Sequence, residues 1–134
     1  ELTVQTACRY GIRQGWITAA HDCAEGGVAI ALAESAIGGN LGATITLPAK
    51  AQRHDTLLFG EGGARIIVTV APTHQTAWEN YLNTQLQLQW SVIGTVNSGS
   101  QLALHLSPHE PLINLDVATM ADRWRYAIER ALVD

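Results

Sequence analysis

The stretch Val28-Ala29-Ile30-Ala31-Leu32-Ala33 is apolar on every side, and a helix without a polar face has to be covered all round. Its alanines let neighbouring backbones approach closely, and Gly38-Gly39 supplies a stop. A buried helix needs a sheet or other helices as its cover, so the flanking segments must supply them. Upstream, Val4, Ala7, Cys8 and Ile12 recur at helical spacing, with Gln5, Arg9 and Arg13 opposite and Gly15 placed to end the turn. Trp16-Ile17-Thr18-Ala19-Ala20 then has strand composition and runs into His21-Asp22.

Downstream, Ala43-Thr44-Ile45-Thr46-Leu47 alternates as a strand, and Ala64 to Val70 is the strongest strand pattern in the chain. The link from Lys50 to Thr56 is polar. Pro72 suits a first helical turn, followed by Ala77, Trp78, Tyr81 and Leu82 at helical spacing. Ser91 to Val96 and Gln101 to Leu106 flank Asn97-Ser98-Gly99-Ser100, which predicts two strands joined as a tight hairpin. A loop holding Pro108 and Pro111 follows. Asp116 is placed to cap a final helix whose seam is Val117, Ala121, Trp124, Ile128 and Ala131. The expected fold class is therefore α/β in the α+β sense. A mixed β-sheet of five or six strands, with ferredoxin-like βαββαβ order plus an extra strand, is covered by flanking helices.

With 134 residues, 47% of them hydrophobic and 15% charged, the chain has the size and core of a single domain. A net charge of −4, with eight scattered Lys and Arg, offers no basic stripe for nucleic acid. No apolar run reaches the ~20 residues that span a bilayer, and Glu1-Leu2-Thr3-Val4-Gln5 lacks the marks of a signal peptide. Cys8 and Cys23 form no metal or disulfide pattern. A soluble, cytoplasmic chain with reduced thiols is expected, with neither nucleic acid nor membrane as partner. The start on a helical pattern without Met reads as a domain excised from a longer chain.

Two clusters carry chemistry. In His21-Asp22-Cys23-Ala24-Glu25-Gly26-Gly27-Val28, polar residues and paired glycines lie between a strand and a helix start. Glycines there let a ligand approach the backbone, and the N–H groups of the helix start attract an anion such as phosphate. Asp22 and Glu25 would repel that phosphate unless Mg²⁺ lies between. The competing reading is equally open: a carboxylate caps the helix and the glycines make a turn. A His21–Cys23 dyad or half a metal site lacks its further groups, so a packed thiol and a hydrogen-bonded imidazole fit better. In Phe59-Gly60-Glu61-Gly62-Gly63-Ala64-Arg65, Glu61 and Arg65 either face a ligand or pair with each other at the sheet end. His54, His74, His105 and His109 read as surface or loop residues, and Trp16, Trp78, Trp90 and Trp124 as packing residues.

The first cluster and its flanks, from Gly15 to Glu34, are similar to a segment reading roughly A-H-D-x-S-E-G-G-L-A-x-A-L-A-E in the phosphoribosylformylglycinamidine synthase family. Leu58-Phe59-Gly60-Glu61 with Arg65 to Val70, and Ile93-Gly94-Thr95-Val96, resemble two further blocks in the same order. On this resemblance the chain is identified as an AIR synthase-related C-terminal domain, residues 1–134, from a longer polypeptide. The superfamily also includes AIR synthase, selenophosphate synthetase, thiamine-monophosphate kinase and a hydrogenase-maturation protein.

The resemblance implies an intact enzyme that uses ATP and Mg²⁺ to phosphorylate the amide oxygen of formylglycinamide ribonucleotide. Ammonia from a glutaminase partner then displaces phosphate to give the amidine. It implies nucleotide-facing roles for Asp22, Glu25, Gly26, Gly27, Glu61 and Arg65, with Asp22 and Glu25 as metal ligands, and no catalytic residue in this chain. The other partners implied are the preceding domains of the same polypeptide. Ala24 stands where the family often has Ser, and Gly62-Gly63-Ala64 replaces a more polar stretch, so hydroxyl contacts do not carry over. Because the full protein resembles two fused copies of a two-half unit, this copy either supports the catalytic site or lines an auxiliary nucleotide site. A non-catalytic structural half, or the C-terminal half of another superfamily member, is the alternative.

Overall fold

The structure is a computed structural model that describes residues 1–48, 53–87, 89–106 and 111–133. Lys50, Pro108 and His109 lie outside the described residues. The chain runs α1 (Leu2–Arg13), β1 (Ile17–Asp22), α2 (Gly27–Gly39), β2 (Gly42–Thr46), α3 (His54–Phe59), β3 (Ile66–Val70), α4 (Pro72–Gln85), β4 (Gly94–Asn97), β5 (Gln101–His105), β6 (Pro111–Asp116), α5 (Val117–Arg125) and α6 (Ala127–Ala131). The mixed α+β class and the βαββαβ order are present. One short helix, α3, stands in the link read from sequence as polar loop, and β6 occupies part of the stretch read as a proline-containing loop.

Two compact units result, one from residues 1–32 and 52–92, the other from 33–51 and 93–134. In the first, β1 pairs antiparallel with β3, Asp22 opposite Ile66 and Ile17 opposite Val70, with a bulge between Ile17 and Ala19. Thr18, the residue in that bulge, donates its hydroxyl to the Thr69 carbonyl at 3.1 Å. The core is Ala7, Ile17, Trp78, Leu82 and Leu86, with Val4, Cys8, Trp16, Val68, Val70, Tyr81 and Trp90 around it. Tyr10 stacks on Tyr81 at 4.3 Å between ring centres, and Trp16 meets Trp78 edge-on at 6.4 Å, the offset geometry that aromatic quadrupoles favour. Helix α1 ends as expected, Trp16 N–H bonding to Gly11 O and Gly15 N–H to Ile12 O, both at 3.0 Å. Its buried face is Ala7 and Gly11, and Ile12, read from the periodicity as part of the apolar face, is exposed.

The second unit holds a four-stranded mixed sheet in the order β4-β2-β5-β6. Strand β2 is antiparallel to β4 and parallel to β5, and β5 is antiparallel to β6. Leu102 and Leu104 of β5 are only 2% and 1% exposed, the inward half of a period-two pattern. The predicted β4–β5 hairpin does not form: β2 lies between the two strands. Gly42, the first residue of β2, explains the insertion. Its N–H bonds to Gly99 O at 2.7 Å, and a Cβ there would stand 2.7 Å from Asn97 Oδ1, Gly99 O and Gln101 O. Only glycine seats a strand end inside the connection that was read as a turn. Since β4 and β5 use both hydrogen-bonding edges of β2, no edge of it is left for β3. Among the described residues the six strands fall into two sheets, β1-β3 and β4-β2-β5-β6, instead of one.

Asp116 caps α5 as expected, accepting from Thr119 N at 2.9 Å and Thr119 Oγ1 at 3.1 Å. The predicted single final helix is broken at Tyr126 (φ −110°, ψ 16°) into α5 and α6. Of its predicted seam, Val117 is buried while Trp124 and Ile128 are exposed.

Candidate functional site

The candidate site lies in the first unit, where the end of β1 leads through residues 23–26 into α2. His21 and Asp22, expected just beyond the strand, are its last two residues. His21 Nδ1 lies 2.7 Å from the Asp22 carbonyl oxygen, which makes the ring the donor through Nδ1. Cys23 is buried, and its N–H bonds to the Arg65 carbonyl at 2.9 Å. Burial pushes the Cys23 thiol up; the nearby Asp22 carboxylate adds to this and the Arg65 guanidinium opposes it. A raised thiol is a poor nucleophile, in keeping with a packed cysteine instead of a dyad.

Gly26 and Gly27 both adopt left-handed backbone, φ +70° and +69°. A Cβ on Gly27 would stand 2.8 Å from the Leu58 carbonyl oxygen and 2.9 Å from Phe59 Cα. Gly27 is thus demanded twice, by backbone handedness and by the close approach of the end of α3, and Gly26 by its handedness and by the side chain of Ile30. Glu61 is the residue that joins the two clusters: its Oε1 accepts from Gly26 N at 2.9 Å. The negative charge drawn to the start of α2 is in this structure the protein's own carboxylate.

Arg65 does not take Glu61 as its partner. Its guanidinium donates to the Gly62 carbonyl at 3.3 Å and to the Gly60 carbonyl, folding the glycine-rich loop around the arginine. The structure therefore brings Gly26, Gly27, Glu61 and Arg65 together as one stitched pair of loops. Asp22 and Glu25 are exposed on that assembly. Among the described residues no group of three or more His, Cys, Asp or Glu converges as a metal site. Two solvent-facing carboxylates suit Mg²⁺ only where phosphate oxygens and water complete the shell. Arg53, a nearby cation in sequence, is committed to Asp55 at 2.7 Å. Leu58 and Phe59 belong to the second cluster and its family block as read from sequence; what sequence reasoning missed is that their backbone packs against Gly27.

The model of the AIR synthase related protein, C-terminal domain, matches residues 1–107. The chain belongs to this family. It is 52% identical over 133 residues to the phosphoribosylformylglycinamidine synthase subunit PurL of Synechocystis sp., which covers 98% of this chain and 17% of the relative. The corresponding subunit of Nostoc sp. is 48% identical over 136 residues, with 98% and 17% covered. The chain thus spans about a sixth of the length of these relatives. Solved structures of T. maritima PurL complexed with ATP and with FGAR align at TM-score 0.74 and 20% identity, over 89% of this chain and 21% and 20% of theirs. That likeness establishes the fold for this member of the family: an AIR synthase-like α+β domain with a mixed sheet.

Proposed function

We propose that residues 1–134 are the AIR synthase-type C-terminal domain of a longer ligase chain. With ATP, Mg²⁺ and ammonia from a glutaminase partner, that chain converts formylglycinamide ribonucleotide to the amidine. The setting is the cytoplasm; among the described residues, no helix is long and apolar enough to cross a membrane. The observation that carries the reading is the match of nearly the whole chain, at about half identity, to PurL subunits. The stitched loop pair supports it from the side of chemistry.

In this reading Asp22 and Glu25 would hold Mg²⁺ together with nucleotide phosphates, and the ion would supply positive charge to offset that of the phosphoryl group. Gly26 and Gly27 give the loop beside the ligand its left-handed backbone, and Gly27 admits the end of α3 that backs it. Glu61 and Arg65 hold the two loops in register. The domain supplies one wall of the site, and the remaining domains of the polypeptide supply the other. A second reading rests on a specific contact: because Glu61 already takes the Gly26 N–H, the start of α2 is filled by a protein anion. That favours a structural half which supports a site elsewhere.

The test is turnover by the intact protein, assayed with formylglycinamide ribonucleotide, ATP, Mg²⁺ and ammonia. Asp22→Asn with Glu25→Gln is expected to raise the Mg²⁺ requirement and lower kcat/KM by about 10² or more, near 2.7 kcal/mol. Wild-type kinetics in the double variant would favour the structural half. No amidine formation by the wild type would end the ligase reading.

A further inference from the structure

Four aromatic rings meet in the first unit, from α1, from the residue before β1 and from α4. Tyr10 lies flat on Tyr81, with ring centres 4.3 Å apart and planes 9° from parallel. Trp78 stacks beside Tyr81 at 5.8 Å, and Trp16 meets Tyr10 and Tyr81 edge-on at 5.7 and 6.3 Å. Exposure rises across the group: Trp78 is buried, Tyr81 half-buried and Tyr10 39% exposed. Core packing accounts for the indoles. Two phenols held face to face at the surface end of the group carry a further chemistry, because phenols are readily oxidised by one electron and the resulting radicals couple through their rings.

We propose that Tyr10 and Tyr81 form an oxidative modification site, where a one-electron oxidant joins the two rings by a carbon–carbon bond. Each phenol gives one electron to the oxidant and its hydroxyl proton to water. The two phenoxyl radicals then bond between carbons next to the oxygens, and the hydrogen on each of those carbons moves to its oxygen to restore both phenols. Two electrons and two protons leave in all. Holding the rings in contact gives the coupling step a high effective concentration. The exposure of Tyr10 lets its proton reach water and lets its ring turn as the product leaves the parallel arrangement. Trp16 and Trp78 widen the target, since an oxidised indole takes an electron from a neighbouring tyrosine as that phenol loses its proton. The new bond ties α1 to α4 and closes the chain between residues 10 and 81 into a loop, a constraint on the unfolded state like that of a disulfide. The site is independent of the reaction proposed for the intact protein.

Tyr126 separates stacking from mere accessibility: at 45% it is more exposed than Tyr10, and among the described residues no aromatic ring is paired with it. The test is to irradiate the full-length protein with visible light, a ruthenium tris-bipyridyl sensitiser and persulfate, and to digest the chains that stay single on a denaturing gel. Trypsin cuts after Arg9, Arg13, Arg65 and Arg123, so the expected product is peptide 10–13 joined to peptide 66–123, lighter than their sum by two hydrogens. Its yield should not change on dilution. Tyr10→Phe and Tyr81→Phe each keep the ring and its stack, and each should lose the product. Absence of the joined pair in folded wild type would overturn the proposal, as would an equal yield from protein unfolded in urea. A yield that falls on dilution would assign the bond to separate chains, and a product through Tyr126 in place of the pair would assign the reaction to exposure; either result removes the site. Ligase activity enters none of these readouts, so the functional reading stands or falls separately.

Discussion

Gly27 shows how a single missing methyl group fixes a site. Its φ of +69° and the backbone of Leu58 and Phe59 within 2.9 Å of a virtual Cβ mean that no side-chain rotation relieves a substitution there. Gly27→Val is expected to cost about 2–4 kcal/mol in denaturant unfolding, the range for a strained backbone plus a steric clash. Gly63→Ala, with nothing within 4 Å of its virtual Cβ, is the control and should be close to neutral; equal effects from the two would refute the close-approach argument. Asp116 makes a pH-dependent contribution of known sign. The backbone N–H of Thr119, and then its hydroxyl, hold the carboxyl below its ordinary value. A lowered folded pKa means that stabilisation is complete above the unfolded value and is lost as pH falls through the folded one. The Tm advantage of the wild type over Asp116→Ala should therefore be full at neutral pH and shrink below about pH 4. A gap that stays constant down to pH 2 would show that the cap does not depend on the charge.

At the scale of elements, the two glycine-rich loops act as one because the contacts between them are mostly to backbone. Cys23 N–H to Arg65 O and Gly26 N–H to Glu61 link the end of β1 to the start of β3, and Arg65 closes the second loop on the Gly60 and Gly62 carbonyls. Glu61→Ala should accelerate amide exchange at Gly26 by about fivefold to tenfold, the scale of one exposed hydrogen bond worth about 1 kcal/mol. Glu61→Gln, which keeps an acceptor oxygen, should change it less. Unchanged exchange in Glu61→Ala would mean that the loop is held by the Gly27 packing alone. The element pattern was largely legible in sequence, since α1, α2 and α4 and the strand cores follow from periodicity and glycine or proline punctuation. What periodicity does not contain is partner choice. The link Asn97 to Ser100 has hairpin composition, yet Gly42 enters it and turns a predicted neighbour pair into strands that flank β2.

For the molecule as a whole, a triphosphate needs donors and metal ligands converging from more than one side. Here Asp22 and Glu25 are solvent-facing, Gly26 N–H is bonded to Glu61, and Arg53 and Arg65 are engaged with Asp55 and with loop carbonyls. A cleft with one wall stays wet, and its electrostatic contacts are weak. Titration calorimetry of the 134-residue chain with ATP and Mg²⁺ should therefore show no binding as tight as micromolar, roughly −8 kcal/mol. A tighter constant would mean that this domain carries a complete nucleotide site.

The sequence by itself determined the α+β class, the order of most elements, the Asp116 cap and the positions of both glycine-rich clusters, because each follows from local backbone preference or from side-chain periodicity. The family resemblance was legible for the same local reason: it rests on contiguous motifs. Tertiary structure decided the rest. Residues 35 positions apart meet when Glu61 reaches Gly26, six strands divide between two sheets, and Trp124 and Ile128, patterned for burial, remain exposed. Each of these depends on which surfaces are available to pair, and a surface is a property of the folded chain and its neighbours, not of the residues that contribute to it.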